Sequence, residues 1–380
     1  MILMIQKDSE INVIKKLITI VEKQLKFIGK NSSFENIEQA IKNALKSNRA
    51  LFWVKVNETG DFCAFVFGNI CSGLETGAEL YFNDSVRRDI MTKPHGQLVK
   101  IKGRNMHIRQ MGAGNITIIL LPGHNLPLPS VELAPLMRDL SKKHTVCIVE
   151  FFGYGHSDPI DSPRTNENYV QELREGLAKA EINPPYLLMP YSASGIYAEY
   201  YSSKYPEEIE GLILLDATPS VETVAQEWSY TNDEIEEDKL EIESFIPPSE
   251  DDIKKAIEAS LADYIQDGYT KEEVIEIYTT PNHKHTILAQ DIAYSSNIHE
   301  VMNLLIPKDI PILAFYSSLE RIGNDEKFKW AKRRKEHIDR LGERVKFMII
   351  EGSTHGDISC HPDYRKIICK EIDEFLKWTK

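Results

Sequence analysis

A six-residue turn, PYSASG at residues 190–195, carries side chains suited to nucleophilic catalysis. It follows the apolar run Tyr186–Met189, which predicts a buried strand, and it precedes a helical pattern. A serine at the tip of such a turn is presented to a substrate, and compact residues two positions away let strand and helix approach each other. Pro190 and Ser194 occupy those two positions, so Ser192 is the predicted nucleophile. Ser194 is a second candidate, and an ordinary turn serine is the alternative interpretation.

A serine hydroxyl is a weak nucleophile until a neighbouring base removes its proton. His355 is the predicted base, because an imidazole titrates near neutral pH and this histidine follows a strand-like run, Arg344–Glu351. A loop histidine without a catalytic role is the alternative. His361 precedes a proline, and we expect it to cap the last helix.

Apolar runs that alternate with helical stretches surround these residues. The runs are Ile116–Leu121, Thr145–Glu150, Tyr186–Met189, Gly211–Asp216, Pro311–Ser317 and Arg344–Glu351. Strands and helices in alternation predict a mostly parallel central sheet with helices on both faces.

The order of these elements resembles the α/β-hydrolase superfamily over residues 97–380. The loop Pro122–Asn125 stands where that superfamily has an H-G loop, and Gly153–Ser157 matches its G-x-G-x-S loop. The final turn, Gly352–His355, is similar to the turn that holds the superfamily's histidine. The resemblance implies the α/β-hydrolase fold, an α/β class architecture with a helical lid at about residues 218–305.

The resemblance also implies site residues in the chain order serine, acid, histidine. Glu320 is the expected acid, because it lies nine residues after the strand-opening Pro311. Asp216 is the alternative acid, since some hydrolases of this fold take the carboxylate from the strand after the nucleophile. Glu320 also has a plain interpretation as a solvated surface residue beside Arg321. The oxyanion hole is expected from the backbone amides of His124 and Ala193.

The resulting prediction is a serine hydrolase that cleaves a carboxylic ester or related acyl compound through an acyl-enzyme. Esterase, thioesterase, amidase and carbon–carbon hydrolase remain open, because one triad serves all of them. A non-catalytic binding or scaffold protein on a hydrolase fold is the alternative function, and an acyltransferase is a third. No cofactor and no metal are expected, and the expected partner is a small-molecule acyl substrate.

Composition bears on partners and location. The five cysteines are scattered without C-x-x-C spacing, which argues against disulfides and a zinc site. No apolar stretch reaches the roughly 18 residues of a membrane span, and the start lacks signal-peptide features, so we expect a cytoplasmic protein without membrane contact. The net charge of −13 is concentrated in the acidic stretch Asp233–Asp252, which is interpreted as a solvated charge run on the lid; alternatively, its negative field disfavours anionic substrates and nucleic acid. The basic run Lys327–Lys335 is interpreted as the solvated face of an outer helix.

Residues 1–90 stand outside the hydrolase pattern. Two helical patterns, at residues 11–25 and 34–47, precede strand-like runs at 50–57, 62–69 and 79–83. This α+β module is similar to the front half of GNAT-type N-acetyltransferases, but the acetyl-CoA loop of that family is missing. We therefore expect a partial module without CoA chemistry. Its exposed sheet edge would need covering, which predicts a possible homodimer.

Overall fold

A computed structural model describes residues 2–4, 49–56, 62–71, 74–82, 95–124, 126, 128–243, 284–318 and 324–378. The chain divides into two compact units. One comprises residues 1–93 with 236–247, and the other comprises residues 94–235 with 248–380.

The first unit contains a four-stranded antiparallel sheet in the order β1-β2-β3-β4. Its strands are β1 (Ile2–Met4), β2 (Arg49–Val56), β3 (Phe62–Cys71) and β4 (Leu74–Phe82). The three strands predicted here are confirmed, although β4 begins five residues before the predicted start at residue 79. The helices predicted at 11–25 and 34–47 lie outside the described residues.

The second unit is built on an eight-stranded sheet in the order β12-β11-β10-β9-β7-β8-β6-β5. Its strands are β5 (Gln97–Ile101), β6 (Arg104–Met111), β7 (Thr117–Leu121), β8 (Thr145–Glu150), β9 (Tyr186–Pro190), β10 (Ile209–Leu215), β11 (Ile312–Ser317) and β12 (Val345–Ile350). The strands from β7 onwards pair in parallel, whereas β5 and β6 are antiparallel. The predicted mostly parallel sheet is confirmed.

Helices alternate with these strands along the chain. They are α1 (Pro129–Glu132), α2 (Ala134–Leu140), α3 (Asn166–Lys179), α4 (Ser194–Lys204), α5 (Glu222–Glu227), α6 (Asn232–Glu243), α7 (Lys284–Met302), α8 (Asn324–Leu341) and α9 (Pro362–Trp378). The basic run Lys327–Lys335 lies within α8, which confirms the predicted helix. The run is not a wholly solvated face, because Arg333 is buried and Arg334 donates to Asp216. No helix among the described residues is both long enough and apolar enough to cross a membrane.

The two faces of the sheet carry separate apolar cores. Ile118 and Leu120 of β7 belong to the core that includes residues of α2 and α9, whereas Ile119 and Leu121 belong to the core shared with α3, α4 and α7. This alternation follows from the two-residue period of a strand. Each buried side chain of this size contributes about 1.5–3 kcal/mol to folding. The central strands are therefore fixed from both sides.

The described residues of the region predicted as a lid include three helices between β10 and β11, namely α5, α6 and α7. Residues 244–283 of the predicted lid lie outside the described residues. Hydrogen bonds of buried polar side chains connect α7 to the rest of the second unit. Asn297 accepts a hydrogen bond from the Asn166 amide and donates one to the Arg164 carbonyl.

Candidate active site

The turn after β9 places Ser192 where three strands end. The amide of Tyr191 donates to the Leu121 carbonyl at 2.9 Å, and the amide of Ser192 donates to the Leu215 carbonyl at 3.2 Å. The Ser192 carbonyl in turn accepts from the Thr218 amide at 2.9 Å. The backbone of Ser192 has φ 55°, in the left-handed region that a non-glycine residue seldom adopts. Surrounding hydrogen bonds hold this strained conformation, a common feature of functional sites.

Small residues allow the close packing around this turn. A Cβ atom at Gly195 would lie 2.8 Å from the Cβ of Ala217, the residue after Asp216. A Cβ atom at Gly123 would lie 3.2 Å from the Cβ of Ser192. The loop after β7, the turn after β9 and the chain after β10 therefore approach one another to within van der Waals contact.

Ser194, the second predicted nucleophile, points away from the tip of the turn. Its side chain is buried and its hydroxyl donates to the carbonyl of Pro122. The structure therefore gives Ser194 a positioning contact with the loop after β7.

The structure brings Ser192, His355 and Asp216 together in one hydrogen-bonded line. The Oγ of Ser192 lies 3.0 Å from Nε2 of His355, and Nδ1 of His355 lies 2.8 Å from Oδ2 of Asp216. The His355 side chain is half exposed, whereas that of Asp216 is 2 % exposed. The His355 part of the line is thus accessible to a reactant, whereas the Asp216 end is buried in the protein.

Asp216 keeps its negative charge through its neighbours. Its Oδ1 accepts hydrogen bonds from the Ser317 amide at 3.1 Å and from Arg334 Nη2 at 2.7 Å. Burial raises the pKa of Asp216, but the hydrogen bond with His355 and the charge of Arg334 together hold it below its ordinary value. Asp216 therefore presents a carboxylate, not a carboxylic acid, to His355 at neutral pH.

Tyr191 positions His355 from the other side. Its hydroxyl donates to the His355 carbonyl at 2.7 Å, and the two rings stack with centroids 5.1 Å apart. Burial raises the pKa of Tyr191, so the hydroxyl stays protonated and remains a donor. Sequence reasoning missed this role, as it missed that of Arg334. The position of Tyr191 directly before the predicted nucleophile is the sequence feature that could have indicated its role.

The remaining predicted residues have different outcomes. Glu320, the expected acid, lies outside the described residues. Ala193 is buried directly before the first turn of α4. The Nε2 atom of His124 lies 3.0 Å from Oδ1 of Asp291 on α7. His361 accepts a hydrogen bond from the Asp363 amide at the start of α9, which confirms its predicted capping position.

Known proteins are similar to this chain in sequence and in fold. No protein-family model matches it. It is 28% identical to the uncharacterized protein YbdG of Bacillus subtilis over 229 residues, which are 59% of this chain and 69% of the relative. It is 26% identical to the pimeloyl-[acyl-carrier protein] methyl ester esterase of Shewanella woodyi over 200 residues, 51% of this chain and 72% of the relative.

A solved structure of a thermophilic esterase from Thermogutta terrifontis superimposes on 75% of this chain and 99% of that chain. The TM-score is 0.54 at 17% sequence identity, which establishes a shared fold. By its strand order and this superposition, the chain has the α/β-hydrolase fold. The expected resemblance of residues 1–90 to N-acetyltransferases finds no support in these comparisons.

Proposed function

We propose that this protein is a serine hydrolase of carboxylic esters in which Ser192 is the nucleophile, His355 the base and Asp216 the acid. The observation that carries the proposal is the continuous hydrogen-bonded line from Ser192 Oγ through the His355 ring to the buried Asp216. A buried carboxylate, an imidazole and a strained serine at the end of a strand are the parts that acyl transfer requires.

In the proposed reaction, His355 Nε2 takes the proton of Ser192 while Oγ attacks the ester carbonyl carbon. Asp216 accepts the hydrogen on Nδ1, which leaves Nε2 free as the base and stabilises the imidazolium that forms. The imidazolium gives its proton to the departing alkoxide as the carbon–oxygen bond breaks. Water, deprotonated by His355, then attacks the acyl-enzyme, and the carboxylic acid leaves as Ser192 regains its proton.

We choose Asp216 over Glu320 because the Nδ1 atom of His355 can donate to only one acid. Asp216 Oδ2 already occupies it at 2.8 Å, and the carboxylate is held there by Ser317 and Arg334. A neutral imidazole has one ring hydrogen to donate, so a second acid has no place in the same line.

The oxyanion hole of the proposal consists of the backbone amides of Ala193 and His124. Ala193 directly follows the nucleophile, and the close approach of Gly123 to Ser192 brings the loop of His124 to the same place. Backbone donors held in this way stabilise the tetrahedral intermediate, and the loss of one costs about 2.7–4 kcal/mol.

The substrate class of the proposal is a small carboxylic ester. The names of an esterase among the relatives and of an esterase with the same fold support it. A cytoplasmic location, a lid at residues 218–305 and a homodimer stay predictions.

Hydrolysis of p-nitrophenyl acetate, butyrate and octanoate tests the proposal. Ser192→Ala is expected to lower kcat/KM by at least about 10³-fold. Ser296→Ala, an exposed serine on α7, is the matched control and keeps full activity. Ser194→Ala, which loses the bond to Pro122, is expected to lose far less than Ser192→Ala. A Ser192→Ala variant that retains turnover, or an inert wild type, contradicts the proposal and favours the binding-protein alternative.

A further inference from the structure

A buried group of three ionisable side chains lies outside the proposed catalytic line. His107 is on β6, Glu150 ends β8, and His156 follows in the next loop. The Nδ1 atoms of His107 and His156 lie 3.0 Å and 3.4 Å from the same carboxylate oxygen, Oε2 of Glu150. The side chains of His107 and Glu150 are fully buried, and that of His156 is 7 % exposed. Among the described residues this is the one group with the composition and spacing of metal ligands.

The backbone around Glu150 holds this arrangement in place. The amide of Ser130 donates to Oε1 at 3.0 Å, and the amide of His156 donates to Oε2 at 2.7 Å. Gly155 has φ 50°, and a Cβ atom there would overlap the Glu150 carboxylate, so the loop needs glycine at this point. Ser157 donates to the Glu150 carbonyl and accepts from the His107 amide. Both histidines are thus fixed relative to the carboxylate by hydrogen bonds of the main chain.

The hydrogen bonds of His107 show which of its ring nitrogens carries a hydrogen and which lacks a partner. Its Nε2 lies 3.2 Å from the His95 carbonyl, and because a carbonyl only accepts, Nε2 carries the hydrogen. In a neutral ring Nδ1 then presents a lone pair to the Glu150 carboxylate, whereas in a protonated ring Nδ1 donates to it. Neither Nδ1 of His107 nor Nδ1 of His156 makes a hydrogen bond of acceptable geometry, although both are buried. Nδ1 and Oε2 at 3.0 Å therefore require a cation, either the proton of a charged histidine or a metal ion.

We propose that His107 Nδ1, His156 Nδ1 and Glu150 Oε2 bind one divalent transition-metal ion of the Zn²⁺ type. Imidazole nitrogen and carboxylate oxygen are ligands that zinc prefers. Ligands at about 2.0–2.1 Å from a tetrahedral ion lie about 3.3 Å from each other, close to the 3.0 Å and 3.4 Å between each histidine Nδ1 and Glu150 Oε2. Oε2 can bind the ion and still accept the His156 amide, because a carboxylate oxygen has two lone pairs.

The burial of the site indicates a structural role. The ion would join β6, the end of β8 and the following loop in one unit. This inference departs from the sequence-based expectation of no metal site, which rested on the absence of paired cysteines. It stands independently of the proposed ester hydrolysis, since none of its three residues belongs to the proposed triad.

Metal binding to the whole purified chain tests the proposal, after chelation and alkylation of the cysteines. Wild type is expected to bind one Zn²⁺ per chain in competition with a chromophoric chelator, and its Tm is expected to rise on loading. His156→Gln is expected to bind more than about tenfold more weakly and to show no rise in Tm. His285→Gln, an exposed histidine on α7, is the matched control and should behave as wild type.

Cobalt substitution in the wild type provides a second measurement that does not depend on a variant folding. Co²⁺ in the site is expected to give visible bands of a nitrogen and oxygen environment without a thiolate charge-transfer band. A wild type that binds no Zn²⁺, a His156→Gln variant that binds as tightly as wild type, or a thiolate band would each overturn the proposal.

Discussion

At the scale of single residues, Asp216 uses its two carboxylate oxygens for different partners. Oδ2 faces His355, while Oδ1 is held by Arg334 and the Ser317 amide. The φ of Asp216 is 44°, so the strained backbone after β10 turns the side chain towards the imidazole. A carboxylate fixed in this way orients the His355 ring and also stabilises the positive charge that the ring gains as a base.

Asp216→Asn tests this assignment. An amide at this position permits the wrong tautomer of His355, and kcat is expected to fall by about 10⁴-fold, the size of effect seen when the acid of such a triad becomes an amide. Steady-state hydrolysis of p-nitrophenyl butyrate measures the change. Glu320→Gln is the discriminating partner variant, and a larger loss in Glu320→Gln than in Asp216→Asn would contradict the choice of acid.

Glu132 is predicted to make stability depend on pH. Burial, together with the charge of Glu150, raises the pKa of Glu132 from 4.5 to about 7. Between these values the unfolded chain releases a proton that the folded chain keeps, so the free energy of unfolding falls as pH rises. Glu132→Gln avoids this loss and can still accept from the Leu128 amide. The variant is expected to be about 1–3 kcal/mol more stable than wild type at pH 8 and nearly equal at pH 4.

Urea unfolding at pH 4 and pH 8 measures this difference. Glu167→Gln, at an exposed position on α3, is the control and should show the same stability difference from wild type at both pH values. A stability difference for Glu132→Gln that does not change with pH would show that Glu132 is not the titrating group.

At the scale of elements, the contact of α4 with the chain after β10 sets the distance between Ser192 and Asp216. The two residues in contact are Gly195 and Ala217, and an added Cβ at Gly195 would lie 2.8 Å from that of Ala217. Gly195→Ala is expected to lower the free energy of unfolding by about 1–3 kcal/mol through overpacking. It is also expected to lower kcat by about 10-fold to 100-fold, because the nucleophile shifts relative to its base.

The double variant Gly195→Ala/Ala217→Gly restores the space and should recover most of both losses. Unfolding by urea and ester hydrolysis, measured on the two single variants and the double variant, give the coupling energy. If the losses of stability and activity in the double variant equal the sum of the single losses, this contact does not position the turn after β9.

At the scale of the whole second unit, the buried side-chain amide of Asn297 joins α7 to the first residue of α3 and to the loop before it. Asn297 bonds to the Asn166 amide and to the Arg164 carbonyl, both through its side chain. Asn297→Ala leaves these buried groups unpaired and is expected to cost about 2–4 kcal/mol of unfolding free energy, measured by urea denaturation. Ser296→Ala, the exposed neighbour, should cost less than about 0.5 kcal/mol. A small effect of Asn297→Ala would mean that these two hydrogen bonds contribute little to the attachment of α7.

The six strands from β7 to β12 were predictable from the sequence, because buried parallel strands read as continuous apolar runs. The meeting of Ser192 and His355 was predictable for a related reason. Both follow strands of one parallel sheet, and the carboxyl ends of such strands share an edge.

The acid could not be settled from the sequence. Both Asp216 and Glu320 follow strands, and only the turn of the backbone at φ 44° directs Asp216 to the imidazole. The buried group around Glu150 was also missed, since His107 precedes it by 43 positions and joins it through the pairing of β6 with β8. The sequence feature that could have indicated this group was a glutamate at a strand end, followed by glycines and a histidine.

Covalent labelling tests the central claim most directly. A fluorophosphonate probe is attacked by an activated serine, and mass spectrometry of the digested wild type locates the adduct. The account predicts one adduct, on Ser192, with labelling strongly slowed in Asp216→Asn and unchanged in Ser296→Ala. An unlabelled wild type, or an adduct on another serine, would contradict the assignment of Ser192, His355 and Asp216 as a catalytic triad.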